Sequence, residues 1–193
     1  MKRLILASLA GGIVLFVWGM LAWTVLPHHT MTMRPLPKED SVVATLQRCI
    51  TTEGMYYFPG MMEGMDAPSQ GTTTEEAWRK RHMRGPIGMI LYIPTGRDPM
   101  MVGQFVWGFV IFVLAAFIAS WLLSRSTAVA GSYWQRVSFC GILGIFLAVA
   151  DHLVAMNWLY FPADYTAAMI VDAVVGWSLA GMAIAAIVKA PSR

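Results

Sequence analysis

The sequence predicts a membrane all-α fold, a bundle of four transmembrane helices with a small extracytoplasmic α+β cap between the first and second helices. Three observations carry this. The composition is 57% hydrophobic and 13% charged with a mean hydropathy of +0.58, against a charged share of roughly 25% in soluble domains. Four apolar runs of about 22 residues are each long enough, at ~1.5 Å per residue, to cross a hydrocarbon core of about 30 Å. The basic residues beside these runs also fall on one side, as the positive-inside rule requires.

The first run, Leu4 to Leu26, follows Lys2 and Arg3 and ends in Trp23, Leu26 and Pro27. A secretory signal has an apolar core of only about 7–15 residues before a small-x-small cleavage site, so residues 1–26 read as an uncleaved anchor whose basic start stays in the cytoplasm. Residues 27–100 are the one long polar segment and hold eight of the fourteen Lys and Arg residues. That charge does not oppose an outside location, because segments longer than about 60 residues translocate regardless of charge. Within it, Ser41 to Ile50 has helical apolar spacing with Asp40 or Ser41 as cap, and Gly54 to Pro59 suits a strand. A capping box from Thr73 to Glu76 opens a second helix, and Gly88 to Ile93 suits a second strand. Gly60 to Thr74, rich in Gly, Ser, Thr and Met, is expected to be a mobile loop.

Residues 101–193 form three further spans, about 101–123, 137–159 and 166–188. The loop between the first two carries Arg125 and Arg136, the turn Tyr160 to Tyr165 carries no Lys or Arg, and Lys189 and Arg193 follow the last span. Both termini are therefore expected in the cytoplasm and residues 27–100 outside it. Cys49 and Cys140 should lie on opposite sides of the membrane boundary, which leaves no internal disulfide. The basic residues form no stripe, so the partner is the lipid bilayer and not nucleic acid.

Three ionisable residues interrupt the last two spans: Asp151, His152 and Asp172. Each costs on the order of 2.5–3.5 kcal/mol unpaired at the centre of a membrane helix, so each needs a partner or a task. All three sit about 10 Å below the outer surface by residue count at ~1.5 Å each. Neighbours on a helix diverge by about 100°, so one of Asp151 and His152 is expected to pair with Asp172, the other with the cap, the turn or water. The cluster can serve as a proton or ion relay, as a polar site for a headgroup or substrate opening to the outer face, or as glue between two helices.

A second constellation is methionine. Ten of the fifteen lie between Met31 and Met101. His28, His29, Met31 and Met33, followed by Met61, Met62 and Met65, bring soft donors close together, which suits copper; Met55 and Met89 fit ordinary strand packing. Spacings for a zinc site, catalytic triad, phosphate loop or haem attachment are absent from the sequence. Small residues at Gly141, Gly144, Ala148, Gly176, Ala180, Gly181 and Ala185 allow close helix approach, within the bundle or against a partner subunit.

Trp23-Thr24-Val25-Leu26-Pro27-His28-His29, together with Phe161-Pro162-Ala163-Asp164-Tyr165, resembles a group of small four-span bacterial inner-membrane proteins described as uncharacterised. The resemblance covers most of the chain. It implies a bacterial inner-membrane location and carries no activity or site residue. In physical terms, Trp23 and Pro27 end a helix at the interface, and Asp164 is placed to cap the fourth span. The leading expectation is a non-enzymatic accessory or structural subunit of a membrane assembly, bound to a membrane-protein partner or to its own copies. The alternatives are an extracytoplasmic copper-binding protein and a small proton-coupled transporter or membrane enzyme.

Overall fold

The computed structural model describes residues 1–60 and 75–189. In chain order they form α1 (Lys2–Thr24), a single turn α2 (Pro27–Thr30), α3 (Glu39–Cys49), β1 (Gly54–Phe58), α4 (Glu75–Arg84), β2 (Gly88–Tyr92) and α5 (Val102–Arg125). Then come α6 (Tyr133–Leu147), a π-helical turn (Ala148–Leu153), α7 (Val154–Leu159) and α8 (Ala163–Ile187). Four helical runs of 23, 24, 27 and 25 residues are apolar and long enough to cross a bilayer, the third being the continuous run Tyr133–Leu159. The chain is a multi-pass membrane protein.

The burial pattern of these helices inverts that of a soluble bundle. On α1, Ala7, Ser8, Gly11, Gly12, Leu15 and Ala22 are buried, while Ile5, Leu6, Leu9, Ile13 and Val17 face outward. On α5, Ala116, Ala119 and Ser120 are buried, while Ile111, Leu114, Phe117 and Ile118 face outward. Lipid tails supply no hydrophobic drive between helices, so association rests on close approach of small residues, and large apolar side chains face the acyl chains.

Helix α1 packs between α5 and α8, and α8 packs between α1 and α6. Glycine sets these approaches. A Cβ on Gly12 would lie 2.9 Å from Val113 Cα, and one on Gly144 would lie 2.8 Å from the Ala173 carbonyl oxygen. A Cβ on Gly181 would lie 2.8 Å from Cys140 Cβ. The small residues of α6 and α8 are thus used inside the bundle. Ala7, Ala116, Ala119, Leu123, Cys140, Ile184 and Val188 form its buried core cluster.

Pro35–Asp98 is a separate compact unit, and Pro27–Arg34 group with the helices. The unit contains an antiparallel hairpin, β1 to β2, in register from Gly54 opposite Tyr92 to Phe58 opposite Gly88. Tyr57 Oη lies 3.3 Å from His82 Nε2, and the His82 ring meets Trp78 edge-on at 5.0 Å. Helix α3 starts at Glu39 behind Lys38, which has φ 52° and gives no side-chain cap, so neither Asp40 nor Ser41 caps it. Thr73, the expected capping residue before α4, and the expected loop at 61–74 lie outside the described residues.

Two span boundaries differ from the sequence expectation for local reasons. The third span begins at Tyr133 and not Val137, because Ser132 and Gln135 form a reciprocal capping box. The fourth begins at Ala163 with Pro162 at the N-cap. Asp164 therefore lies in the first turn and is not the cap; its Oδ1 accepts from the Tyr165 amide at 2.9 Å, and its Oδ2 lies 3.5 Å from Arg34 Nη2. Cys49 is exposed and Cys140 buried, and both are free thiols.

Candidate metal and ligand site

Proline makes the turn on which the site depends. Pro27 cannot continue α1, and it holds the preceding Leu26 extended at φ −83° and ψ 139°. The chain then starts a new turn with Pro27 at its first position, where the missing N–H costs nothing. This turn brings His28 and His29 back against α8. His29 is completely buried. Its ring stacks on Trp23 at 4.0 Å and 7° between planes, and the His28 ring lies on it at 4.2 Å and 41°. The His29 ring thus packs through its face, and its in-plane nitrogens are left to bind.

Those nitrogens face Asp172. His29 Nε2 lies 3.5 Å from Asp172 Oδ2, a separation longer than a well-formed hydrogen bond. Among the described residues, His28 Nε2, both ring nitrogens of His29 and Asp172 Oδ1 are buried with no hydrogen-bond partner. Buried polar atoms are nearly always paired, so four of them in one place call for an occupant. One ligand atom from each of His28, His29 and Asp172 lies within 4.8 Å of the other two. Burial lowers the His29 pKa below the usual histidine value; the Asp172 carboxylate opposes this and His28 adds to it. A neutral imidazole is the form that binds metal.

Helix α8 is held at this depth by Trp18, whose Nε1 donates to the Asp172 carbonyl oxygen at 3.2 Å. Gly176 makes room for it, since a Cβ there would meet Trp18 Cδ1 at 2.8 Å.

The other two intramembrane groups pair with each other. His152 Nδ1 lies 3.1 Å from Asp151 Oδ2. They sit in the π-helical turn, where each turn takes more residues than in an α-helix and neighbouring side chains diverge less. The expected contact of Asp172 with Asp151 or His152 is thus replaced by two pairs, His29 with Asp172 and Asp151 with His152. All three residues nevertheless line one cavity of about 660 Å³ between α1, α5, the π-helical turn and α8. Its walls are mostly apolar and include Trp18, Trp23, Trp177, Phe105 and Phe112. A carboxylate on Nδ1 fixes the His152 ring and leaves Nε2 for the cavity side chemistry.

Of the methionines expected to bind copper, only Met31 and Met33 are among the described residues. Met31 and Met33 are 74% and 56% exposed on the turn after α2, and Met61, Met62 and Met65 lie outside the described residues. The sequence reading missed the union of His29 with Asp172. An available signal was the need of an intramembrane carboxylate for a partner, together with two histidines just past a proline-terminated span. Comparison with known proteins gives no match to a family model, to a curated protein or to a solved structure.

Proposed function

We propose that this is a bacterial inner-membrane metalloprotein that holds one divalent transition-metal ion between His28, His29 and Asp172. The observation that carries the reading is the convergence of these three ligands around nitrogens and an oxygen that are buried and otherwise unpaired. Two imidazoles and a carboxylate suit zinc, copper(II), nickel or iron(II) better than the copper(I) favoured by thioethers. In a tetrahedral site with bonds of about 2.1 Å, ligand atoms stand about 3.4 Å apart, close to the His29–Asp172 separation of 3.5 Å. Three protein ligands leave a coordination position for water or a ligand, as in catalytic rather than structural sites.

The basic pairs Lys2 and Arg3, and Arg125 and Arg136, with Lys189, support cytoplasmic termini and an extracytoplasmic metal site. The accessory-subunit reading has less to rest on, because the small residues of α6 and α8 that would have made a partner groove are packed against the chain's own helices. The test is elemental analysis of protein purified in mild detergent. About one equivalent of a transition metal per chain is expected, lost in Asp172→Asn and kept in the double variant Met31→Leu, Met33→Leu. Metal-free wild-type protein that also fails to take up zinc, copper(II), nickel or iron(II) on dialysis contradicts the reading.

A further inference from the structure

We infer that the 660 Å³ cavity beside Asp172 binds a neutral, membrane-dissolved hydrophobe that ends in a hydroxyl on an aromatic ring, a ligand of the phenol or hydroquinone class. The volume falls inside the range of about 300–1,000 Å³ typical of small-molecule sites. Its wall on α1 runs from Leu15 to Thr24, ten residues spanning about 14 Å of helix, which is a long slot and not a hydration pocket. Helix α5 packs along its length on α1 and only slightly on α6 and α8. The side between α5 and the π-helical turn is therefore where the bundle is loosest, and a ligand enters there from the bilayer.

The lining selects the head of the ligand. The deep part of the slot, at Leu15, Phe112 and Gly176, is apolar, and Trp18, Trp177 and Phe105 offer faces and edges to a flat ring. The polar groups are Asp151, His152 and Asp172, with Thr24 and Gln104 as neutral polar residues and no Lys or Arg among the lining residues. The two carboxylates accept and do not donate, so beside them the slot favours a head that brings a proton to share and repels an anionic phosphate. Here the inference rests on the proposed metal, because an ion at Asp172 matches that charge and removes the attraction for an organic cation. Asp151 is matched by its own His152. What remains is a site for a hydroxyl, hydrogen-bonded to the Asp151 and His152 dyad.

The experiment titrates 4-octylphenol into the metal-loaded protein in lipid nanodiscs, read by tryptophan fluorescence, with metal content measured on the same sample. Octylbenzene, octyl phosphate and octyltrimethylammonium serve as comparisons. Saturable binding of the phenol is expected, about tenfold or more tighter than any comparison ligand, since one good polar interaction is worth roughly that factor. Gly108→Leu should abolish it: Gly108 lines the cavity, and a Cβ there meets nothing within 4 Å, so the new side chain fills ligand space without a clash. His152→Ala should weaken it about tenfold and provides the test if the first variant fails to fold. Equal binding of octylbenzene, tighter binding of the ammonium, or unchanged affinity in a folded Gly108→Leu or His152→Ala protein overturns the inference. Protein that takes up no metal on dialysis and still selects the phenol would refute the metal reading alone, and metal-loaded protein that ignores it would refute only the inference.

Discussion

The two halves of the helical unit are built from the same four apolar runs and behave as different materials. In the half around Ala7, Ala116, Ala119, Cys140 and Ile184, small residues let the helices close, and the part-buried Arg136 is satisfied by the Ala185 and Gly131 carbonyls. In the half that ends at His29, Trp18, Trp23 and Trp177 line an open space between the helices. That half keeps the cavity, both histidine–carboxylate pairs and the unpaired buried nitrogens. The difference teaches where each property resides. Close approach in the first half sets stability, and the second half carries polar groups that are costly in lipid and that, on the proposed reading, hold a metal ion.

The sharpest way to break this division is to remove a ligand from the open half. His29→Ala should lower metal affinity by more than about hundredfold, roughly 2.7 kcal/mol, as measured by competition with a chromophoric chelator. The thermal midpoint of the metal-free protein should move little. A substitution in the closed half should do the reverse. Gly12→Leu places a Cβ 2.6 Å from Val113 Cγ2 and 2.9 Å from its Cα, and overpacking of this kind costs about 1–3 kcal/mol. Unfolding in mixed micelles should show that loss, while the folded fraction retains its metal. If Gly12→Leu strips metal as effectively as His29→Ala, the two halves are coupled and the division is wrong.

Smaller effects sharpen the comparison. Trp23→Leu removes the ring stacked on His29 at 4.0 Å without touching a ligand atom, and should weaken metal binding about tenfold, as loss of an orienting neighbour does elsewhere. Gly108→Leu should leave unfolding within about 0.5 kcal/mol of wild type, the range of changes that touch nothing structural, in contrast to Gly12→Leu. The smallest effect is expected from the double variant Met31→Leu, Met33→Leu, whose side chains are exposed while the ligand His29 is buried. Its metal affinity should match wild type within about twofold.

How much of this was legible in the sequence follows from the range of the interactions. The four long apolar helices and the strands near Gly54 and Gly88 depend on composition and spacing within a few residues, and the sequence carries both signals. Span starts differ from the expectation at Ser132, where a capping box extends the helix, and at Pro162, which precedes the first residue of α8 without a side-chain cap. The candidate site depends on contacts across 143 residues, from His29 to Asp172, and on a π-helical turn that no residue pattern announced. Asp151, His152 and Asp172 stood out as charges in lipid. Their partners did not, because Pro27 sends the chain back onto α8, and sequence spacing describes only regular elements.

The most direct measurement is X-ray absorption at the metal edge on protein loaded with one equivalent of zinc. The account predicts a first shell of nitrogen and oxygen alone at about 2.0–2.1 Å, with the multiple-scattering signature of two imidazoles. A sulfur shell near 2.3 Å, or a shell without imidazole, would contradict it and return the metal to the methionines or to the solvent.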